Sequence, residues 1–245
     1  MTLMYRIMFV VINGLFFIST LHAAIITFSP GIAVENNAQT QTLLLQTSPQ
    51  NFSNQYVENH AWKHRFLAQL FLGKRLHPQD KSQDKLNLDL GATLGFVNDI
   101  KINGVINQFG LSDFDNLTYQ YTVDSLSAMG TIKLLYPYSK YVQPYLNGSL
   151  GLSNNRSSFY QETPRILGAV PMLPFGDHST HSFAYNAGVG LMYYSNEQFS
   201  VGLGYQFSDL GKASLSTSPA QQTMQTLSLN HLYLHQLLFN FTWDI

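Results

Sequence analysis

The sequence contains no cysteine among its 245 residues. Disulfide bonds, zinc–thiolate sites, a cysteine nucleophile and a lipid-modified N-terminal cysteine are therefore excluded. Charged residues make up only 11%, well below the roughly 25% of an average soluble domain. The net charge is −1, which leaves no basic surface of the kind that binds nucleic acid. We expect no nucleic-acid partner.

Long apolar runs are also missing beyond the first residues of the chain. Arg6 is followed by an apolar stretch at 7–18 and by small residues, with cleavage expected after Ala23 or Ala24. A run this short is typical of a removed secretory signal peptide rather than a retained anchor. We predict a signal peptide at 1–23 and, beyond residue 30, no membrane-spanning helix.

What is present instead is alternation with a period of two. At the C-terminus one face carries Leu237, Phe239, Phe241, Trp243 and Ile245, which is the pattern of a β-strand with one apolar face. The opposite faces of such strands carry Gly, Ser, Asn, Gln and Thr, whereas a soluble sandwich would expose more Lys and Glu. Because lipid requires every backbone group to be paired, these strands must close into a barrel. A soluble sandwich or lipocalin-like barrel is the alternative.

Eight strands of this kind are predicted. Their ranges are 62–76, 86–97, 101–109, 125–136, 141–153, 183–194, 199–208 and 237–245. Short turns are predicted near residues 98, 139 and 196, and long loops at 77–85, 110–124, 154–182 and 209–230. Outer-membrane barrels have short periplasmic turns and longer external loops. The predicted fold class is therefore all-β, an eight-stranded transmembrane up-and-down antiparallel barrel, with ten strands as the alternative count.

The segment at 24–59 lacks sustained periodicity and is rich in Gln, Asn, Ser and Thr. It is predicted to precede a barrel domain at 60–245. A tail that partly folds back is expected, and a luminal plug or an extra strand remain open.

Three stretches carry a resemblance to a known family. They are QPYLNGSLG at 143–151, AGVGL at 187–191 and VGLGYQF at 201–207. These resemble the small outer-membrane barrels of the OmpA/OmpX-like superfamily, over residues 60–245. The resemblance implies an outer-membrane location, contact with outer-membrane lipid and lipopolysaccharide, and insertion by the barrel assembly machinery, which reads the terminal strand. That signal usually ends on Phe or Trp, whereas here Ile245 is last and Trp243 lies two residues before it.

The alternation of inward and outward side chains along the strands predicts a luminal cluster of ionisable residues. Its members are Arg65, Asp89, Lys101, Lys133 and Asp244. Arg65 and Asp244 are predicted to meet near the periplasmic end, because closure would make the first and last predicted strands neighbours. Lys101 and Lys133 are expected to face the lumen near the periplasmic end, and Asp89 is expected to face it nearer the outer end. Buried charges need partners, so the cluster is interpreted as a structural network, with a narrow ion path as the alternative.

Two further groups are candidate binding residues. His231, Tyr233 and His235 share the outward face of the last strand and are interpreted as interfacial or lipopolysaccharide-contacting residues. A hydrolase of the lipid A deacylase type would need a Ser where Tyr233 stands. The long loop at 154–182 is rich in apolar residues, so Phe159, Tyr160, Phe175 and His178 are candidates for binding an external ligand, with a self-packed cap as the alternative.

The expected function is that of a structural or surface-interaction barrel with a filled lumen. The interior of an eight-stranded barrel is just wide enough for side chains to fill it. A small pore is the alternative, and a membrane-embedded lipid or peptide hydrolase is the third possibility. We expect no enzymatic activity, metal or cofactor, and a host or surface ligand at the long loops.

Overall fold

The computed structural model describes residues 24–35, 39–47, 50–59, 63–76, 86–171, 175–217, 223 and 225–245. Side chains at 46, 47 and 50–52 are not described. The predicted signal peptide lies outside these ranges. Among the described residues, none of the helices has the length and apolar character needed to cross a membrane.

Nearly all regular structure in the described residues is β-strand. The strands are β1 (Ala24–Glu35), β2 (Thr40–Thr47), β3 (Gln50–Glu58), β4 (His64–Leu76), β5 (Asn87–Asn107), β6 (Leu117–Leu135), β7 (Val142–Pro164), β8 (His178–Tyr194), β9 (Phe199–Asp209), β10 (Ala213–Ser214), β11 (Ser228–Leu229) and β12 (Tyr233–Asp244). Two short 3₁₀ turns, Gln108–Gly110 and Ser112–Phe114, lie between β5 and β6.

Within the described residues, eight of these strands form a closed antiparallel ring in the order β1-β4-β5-β6-β7-β8-β9-β12. The seam joins β12 to β1, from Ile25 opposite Asp244 to Glu35 opposite Leu234. Ala24 and Ile245 exchange backbone hydrogen bonds of 3.0 and 2.8 Å. The short connections at 136–141 and 195–198 lie at this same end, which identifies it as periplasmic. The predicted eight-stranded barrel is confirmed.

The predicted set of strands nevertheless contains two errors. Residues 24–35, expected to be part of a tail, form the full barrel strand β1. The predicted strands 86–97 and 101–109 are one continuous strand, β5, because Asn98 and Asp99 form a β-bulge and not a turn. Asp99 adopts a left-handed φ of 54°, and the register shifts between Val97 and Ile100. The two errors offset each other, so the predicted count stayed correct.

Because of the bulge and the additional strand β1, the observed connections between strands differ from the predicted loops. Leu76 and Asn87 lie at the periplasmic end, so the connection between them is not external as predicted; residues 77–85 themselves lie outside the described ranges. The external connections lie at 36–63, 108–116, 165–177 and 210–232.

An apolar band surrounds the ring. On β5 the outward residues Leu88, Leu90, Leu94 and Phe96 are followed by Asp99, and on β6 Leu126 is followed by Asp124. This length of apolar face matches the ~9–11 residues with which a tilted strand crosses the hydrocarbon layer. The band therefore ends at the level of Asp99 and Asp124 on this side of the barrel.

Glycines make room for one large side chain inside the barrel. Cβ atoms added at Gly190 and Gly204 would collide with the Tyr145 ring and hydroxyl. Tyr145 is 8% exposed, and its hydroxyl accepts a hydrogen bond from Asn240 Nδ2 at 2.9 Å. The small residues are thus needed because the narrow lumen holds an aromatic ring at this level.

Three strands continue far above the apolar band. Strands β5, β6 and β7 have 21, 19 and 23 residues, about twice what a membrane crossing needs. The β2–β3 hairpin joins their sheet, since β3 pairs with β5 from Gln55 opposite Asn107 to Glu58 opposite Gly104. Together these segments form an external sheet, which we call the outer wall.

Candidate functional site

A buried ionic cluster closes the periplasmic end of the lumen. Arg75 donates to both carboxylate oxygens of Asp89, with Nε–Oδ1 at 2.8 Å and Nη2–Oδ2 at 3.0 Å. Its Nη1 donates to Asp244 Oδ2 at 2.7 Å. Lys133 lies opposite Asp89 in the ladder and places its ammonium over the Phe71 and Tyr145 rings, 5.7 and 5.0 Å from their centroids. Arg75 thus ties β4, β5 and β12 together across β1.

Three residues of the predicted luminal cluster occupy other places. Arg65 and Asp244 lie at opposite ends, because β1 separates their strands and makes β4 begin at the outer end. For the same reason Asp89 lies at the periplasmic end, not nearer the outer end. Lys101 faces outward on the outer wall, with 53% of its side chain exposed, because the bulge at Asn98–Asp99 reverses the inward parity of β5. Lys133 and Asp244 lie at the periplasmic end.

Arg75 was missed by the sequence reasoning, although a signal for it exists. If 77–86 is treated as a hairpin connection, symmetric pairing places Arg75 opposite Asp89, as observed. Because the prediction placed 77–85 on the external side, the pairing of Arg75 with Asp89 was not expected.

Above the ionic cluster, the lumen is filled by a polar network. Hydrogen bonds connect Thr93, Thr131 and Ser149 at 2.6 and 2.8 Å, and Gln236 Oε1 accepts from Gln69 and Gln206 at 2.9 and 3.0 Å. Two spaces within the lumen have volumes of about 30 and 10 Å³. A cavity needs roughly 10–15 Å³ per water, so each of these two spaces has room for about one or two waters.

The outer mouth is closed by an apolar plug. Buried residues from the β2–β3 hairpin, the outer wall and the 210–232 loop form one cluster that includes Leu43, Tyr56, Tyr119, Leu215 and Leu229. Tyr56 contacts Tyr119 and Phe175, with ring centroids 5.4 and 6.3 Å apart. The segment 24–59 therefore supplies both a barrel strand and part of a plug.

Polar side chains hold the 210–232 loop inside the mouth. Asn155 Nδ2 donates to the carbonyls of Leu210 and Lys212 at 2.7 and 2.8 Å, and Ser153 Oγ donates to the Leu210 carbonyl at 2.5 Å. On the hairpin side, Gln41 donates to the Thr226 carbonyl at 2.8 Å. Buried hydrogen bonds of this kind fix the loop in one position, so the plug is part of the folded barrel.

A pair of buried carboxyl groups lies beneath the hairpin. Glu58, on β3, is 8% exposed and Glu35 is 7% exposed. Burial raises the pKa of Glu58 to about 7, although the Gln39 backbone N–H and the Lys63 ammonium favour its charged form. The Gln39 N–H donates to Glu58 Oε2 at 3.2 Å. Glu58 is therefore a titratable contact at the base of the hairpin.

The outward histidines belong to an aromatic ladder at the outer edge of the apolar band. The rings of His231 and Tyr233 stack at 5.2 Å, and Phe207 contacts Tyr233 and His235 at 5.7 and 5.5 Å. His231 Nδ1 lies 2.8 Å from Asp209 Oδ2, and His235 Nδ1 lies 2.6 Å from the Tyr205 hydroxyl. Among the described residues, no group of three His, Cys, Asp or Glu side chains is arranged to hold a metal.

The four candidates from the loop at 154–182 divide into two groups. Tyr160 and Phe175 pack against each other at 5.0 Å and are only 8% and 5% exposed, so their expected availability to an external ligand is wrong. Tyr160 lies on the inner face of the wall because strand β7 extends to Pro164, and Phe175, in the connection between β7 and β8, packs against it. Phe159 is 79% exposed, and His178 is exposed at the start of β8.

Several solved structures resemble the chain. The chain is similar in structure to Neisserial surface protein A (TM-score 0.45, 11% identity), over 92% of this chain and 100% of the other. It is also similar to OprG from Pseudomonas aeruginosa (TM-score 0.44, 15% identity), over 90% and 96%. A third is the outer membrane protease OmpT from Escherichia coli (TM-score 0.46, 9% identity), over 91% and 97%.

In sequence, no curated protein matches the chain. The family described as the outer membrane protein beta-barrel domain matches residues 27–241, which is almost the whole described ring. The chain therefore belongs to the outer membrane protein beta-barrel family and is located in the outer membrane.

Proposed function

We propose that this protein is a closed barrel that acts through its extracellular surface and does not conduct. The observation that carries this proposal is the presence of two successive seals, the apolar plug at the mouth and the polar side-chain packing below it. Ions crossing the barrel would have to displace buried tyrosines and leucines first, and the Arg75–Asp89 pair last.

The outer wall supports the second half of the proposal. Roughly half of β5, β6 and β7 lies outside the hydrocarbon layer, which a purely structural barrel does not require. The far tip of the wall also exposes apolar side chains, among them Leu111 at 53%, Leu167 at 104% and Val170 at 75%. Exposed apolar patches of this kind mark interaction sites more often than inert surface. Contact with a host or surface macromolecule at this tip is part of the proposal.

Planar-bilayer recording tests the closed lumen. We expect the purified protein to give no steady single-channel openings in 1 M KCl, because its luminal spaces are of the size of one or two waters. Deleting the β2–β3 hairpin alone is also expected to leave the barrel silent, since the polar packing beneath it remains. Steady openings of the unaltered protein would contradict the proposal and favour a small pore.

We further propose that the histidines at the outer interface are anchors and not catalytic groups. The His231 imidazole faces Asp209 and stacks on Tyr233, and such amphipathic rings are favoured at the level of lipid headgroups. Changing His231 or His178 to Ala is expected to leave the lipid A species of expressing cells unchanged in mass spectrometry. The loss of a deacylated lipid A species on His231→Ala, but not on His178→Ala, would instead indicate a hydrolase that uses the His231–Asp209 pair.

A further inference from the structure

A concave groove runs along the outward face of the outer wall. Its volume is about 520 Å³, and its lining includes Lys63, Lys101, Asn103, Gln120, Phe159 and Gln161. These side chains project from β5, β6 and β7 and from the residue preceding β4, on the face opposite to the apolar plug. The groove is therefore separate from both the lumen and the mouth.

The height of the groove above the apolar band determines which layer of the membrane it faces. Lys101 lies opposite Thr122, and Asn103 opposite Gln120, so the groove begins immediately above Asp99 and Asp124, where the apolar band ends. At ~3.4 Å per residue, the four steps from Lys101 to Val105 cover about 14 Å along the tilted strand above that boundary. The groove opens sideways into the layer occupied by the headgroups of neighbouring outer-leaflet lipids. A ligand arriving from the medium would have to enter that layer.

The polar groups of the groove suit a sugar that carries phosphate. Gln120 Nε2 donates to Gln161 Oε1 at 3.2 Å, and Lys63 contacts Asn103 Oδ1, so amides and an ammonium converge on one surface. Thr118, Thr122 and Thr163 add hydroxyls, and the lining includes two lysines but no carboxylate. Such groups donate to and accept from sugar hydroxyls, and lysines bind phosphate as point charges.

Charged groups of both signs surround the two lysines. Lys101 Nζ lies 3.7 Å from Asp99 Oδ2, with both side chains about half exposed, and pairs of this kind are weak. Asp124 lies beside Asp99 below the groove, and Arg156 lies 3.7 Å from Asp177. The lining itself contains two cations and no anion, so a phosphate in the groove would be bound by the two lysines, above these carboxylates.

Phe159 is the most unusual residue of the groove. Its φ of 58° lies in the left-handed region, which is costly for a bulky residue without a Gly or Asn side chain. The strain occurs at a register shift between β6 and β7, between Gln120 and Thr122. Bulges re-aim side chains, and this one turns a phenyl ring outward at the groove while Tyr160 returns to the interior. An exposed ring beside amides and hydroxyls offers a flat surface to the apolar face of a sugar.

We propose that this groove binds the phosphorylated sugar headgroup of an outer-leaflet glycolipid, lipopolysaccharide. Lys63 and Lys101 contact phosphate, Gln120 and Gln161 contact sugar hydroxyls, and Phe159 packs on a sugar ring. This inference rests on the proposed action of the protein through its outer surface, and it names the class of ligand and the site. It places the glycolipid on the β5–β7 side of the barrel, on different strands from the aromatic ladder of β9 and β12.

Binding of purified rough lipopolysaccharide to the protein in detergent, followed by titration calorimetry, tests the proposal. We expect the double variant Lys63→Gln/Lys101→Gln to weaken binding by about tenfold or more at low salt, with a smaller difference at high salt because exposed charges are screened. Removal of phosphate from the lipopolysaccharide should have a similar effect on the unaltered protein. Lys140→Gln, which removes an exposed lysine at the periplasmic turn, is the matched control and should leave the affinity unchanged.

Phe159→Gly separates a binding role from a structural one. Glycine adopts a positive φ without strain, so the variant should keep or increase thermal stability and yet bind rough lipopolysaccharide several-fold more weakly. Unchanged lipopolysaccharide affinity in both the lysine and the Phe159 variants would overturn the proposal. So would a groove-dependent affinity for a soluble sulfated oligosaccharide with none for lipopolysaccharide. Conductance recorded on the same preparations reports separately on the closed lumen, so failure of the groove proposal is distinguishable from failure of the proposed function.

Discussion

Replacing Arg75 with Ala is expected to destabilise the barrel by about 3–5 kcal/mol, the usual result of removing one partner of a buried ion pair. Asp89 is only 1% exposed, and in the variant it would keep Lys133 as its neighbour but lose both guanidinium hydrogen bonds. Asp244, which accepts the third bond from Arg75, would lose its link to β4. Equilibrium unfolding in urea from detergent micelles or lipid vesicles measures the loss.

The matched control for Arg75 is the preceding residue. Lys74 lies on the same strand at the same periplasmic end, but on the opposite face, so Lys74→Ala should cost less than about 1 kcal/mol, as expected for a surface change. Arg75→Lys should fall between the two, because an ammonium cannot donate the paired hydrogen bonds that Asp89 receives. Equal losses for Arg75→Ala and Lys74→Ala would show that the cluster is not a structural network.

The second large effect is expected from the titration of Glu58. Only 8% of Glu58 is exposed, and its pKa of about 7 lies above the ordinary value of 4.5. A carboxyl whose folded pKa is raised favours the folded hairpin at low pH, and this contribution is lost as the pH rises from about 4.5 through 7. At 1.36 kcal/mol for each pH unit between the two values, the ionised form costs on the order of 3 kcal/mol. The docked hairpin should therefore loosen as the pH rises from about 4.5 to 7.

Several charged and titratable groups lie close enough to influence Glu58. Lys63 favours the ionisation of Glu58, Glu58 raises the pKa of the neighbouring Glu35, and Lys63 and Arg65 lower it. Tyr119 and Tyr121, on β6, also interact with the Glu58 carboxylate. Because the attraction of Lys63 is already included in the raised pKa, the expected direction of the effect does not change.

Hydrogen exchange of the β2–β3 amides, corrected for the intrinsic effect of pH, measures this loosening. We expect protection to fall at least tenfold between pH 4.5 and pH 7.5, while the amides of β8 and β9 keep theirs. Glu58→Gln should reduce the pH dependence, because the amide cannot ionise and still accepts from the Gln39 N–H. The part that remains belongs to Glu35, whose pKa burial also raises to about 7, so Glu35→Gln/Glu58→Gln should remove it. Protection of the hairpin that is independent of pH in the unaltered protein would contradict the assignment.

The sequence predicted the architecture better than it predicted the register. Alternation at 125–136, 199–208 and 237–245 was sufficient to identify strands β6, β9 and β12, because one face of each meets lipid and its apolar residues recur without interruption. The strand β1 was missed because Pro30 and Gly31 interrupt its pattern, and its partners become visible only when the ring closes. Pairing with β4 and β12 decides its conformation, which is a tertiary effect.

The site residues were harder to predict, for a related reason. Inward or outward orientation follows from parity, and a bulge reverses parity for every residue beyond it. The pair Asn98–Asp99 has the composition of a turn, and nothing local distinguishes a turn from a bulge. Lys101 was consequently placed in the lumen instead of on the outer wall. Phe159 was identified as exposed from loop composition alone, although its backbone strain could not have been predicted.

The seam between β1 and β12 has a consequence for biogenesis. Thr27 and Thr242 share a hydrogen bond of 2.8 Å although they are 215 positions apart, and Ser29 donates to Asn240 at 2.7 Å two rungs above. Contacts between such distant positions are the slowest to form during folding. The cylinder is thus completed only when the last-synthesised strand finds the first. Until then both strands present unpaired edges, and closure of the seam is the step that removes them.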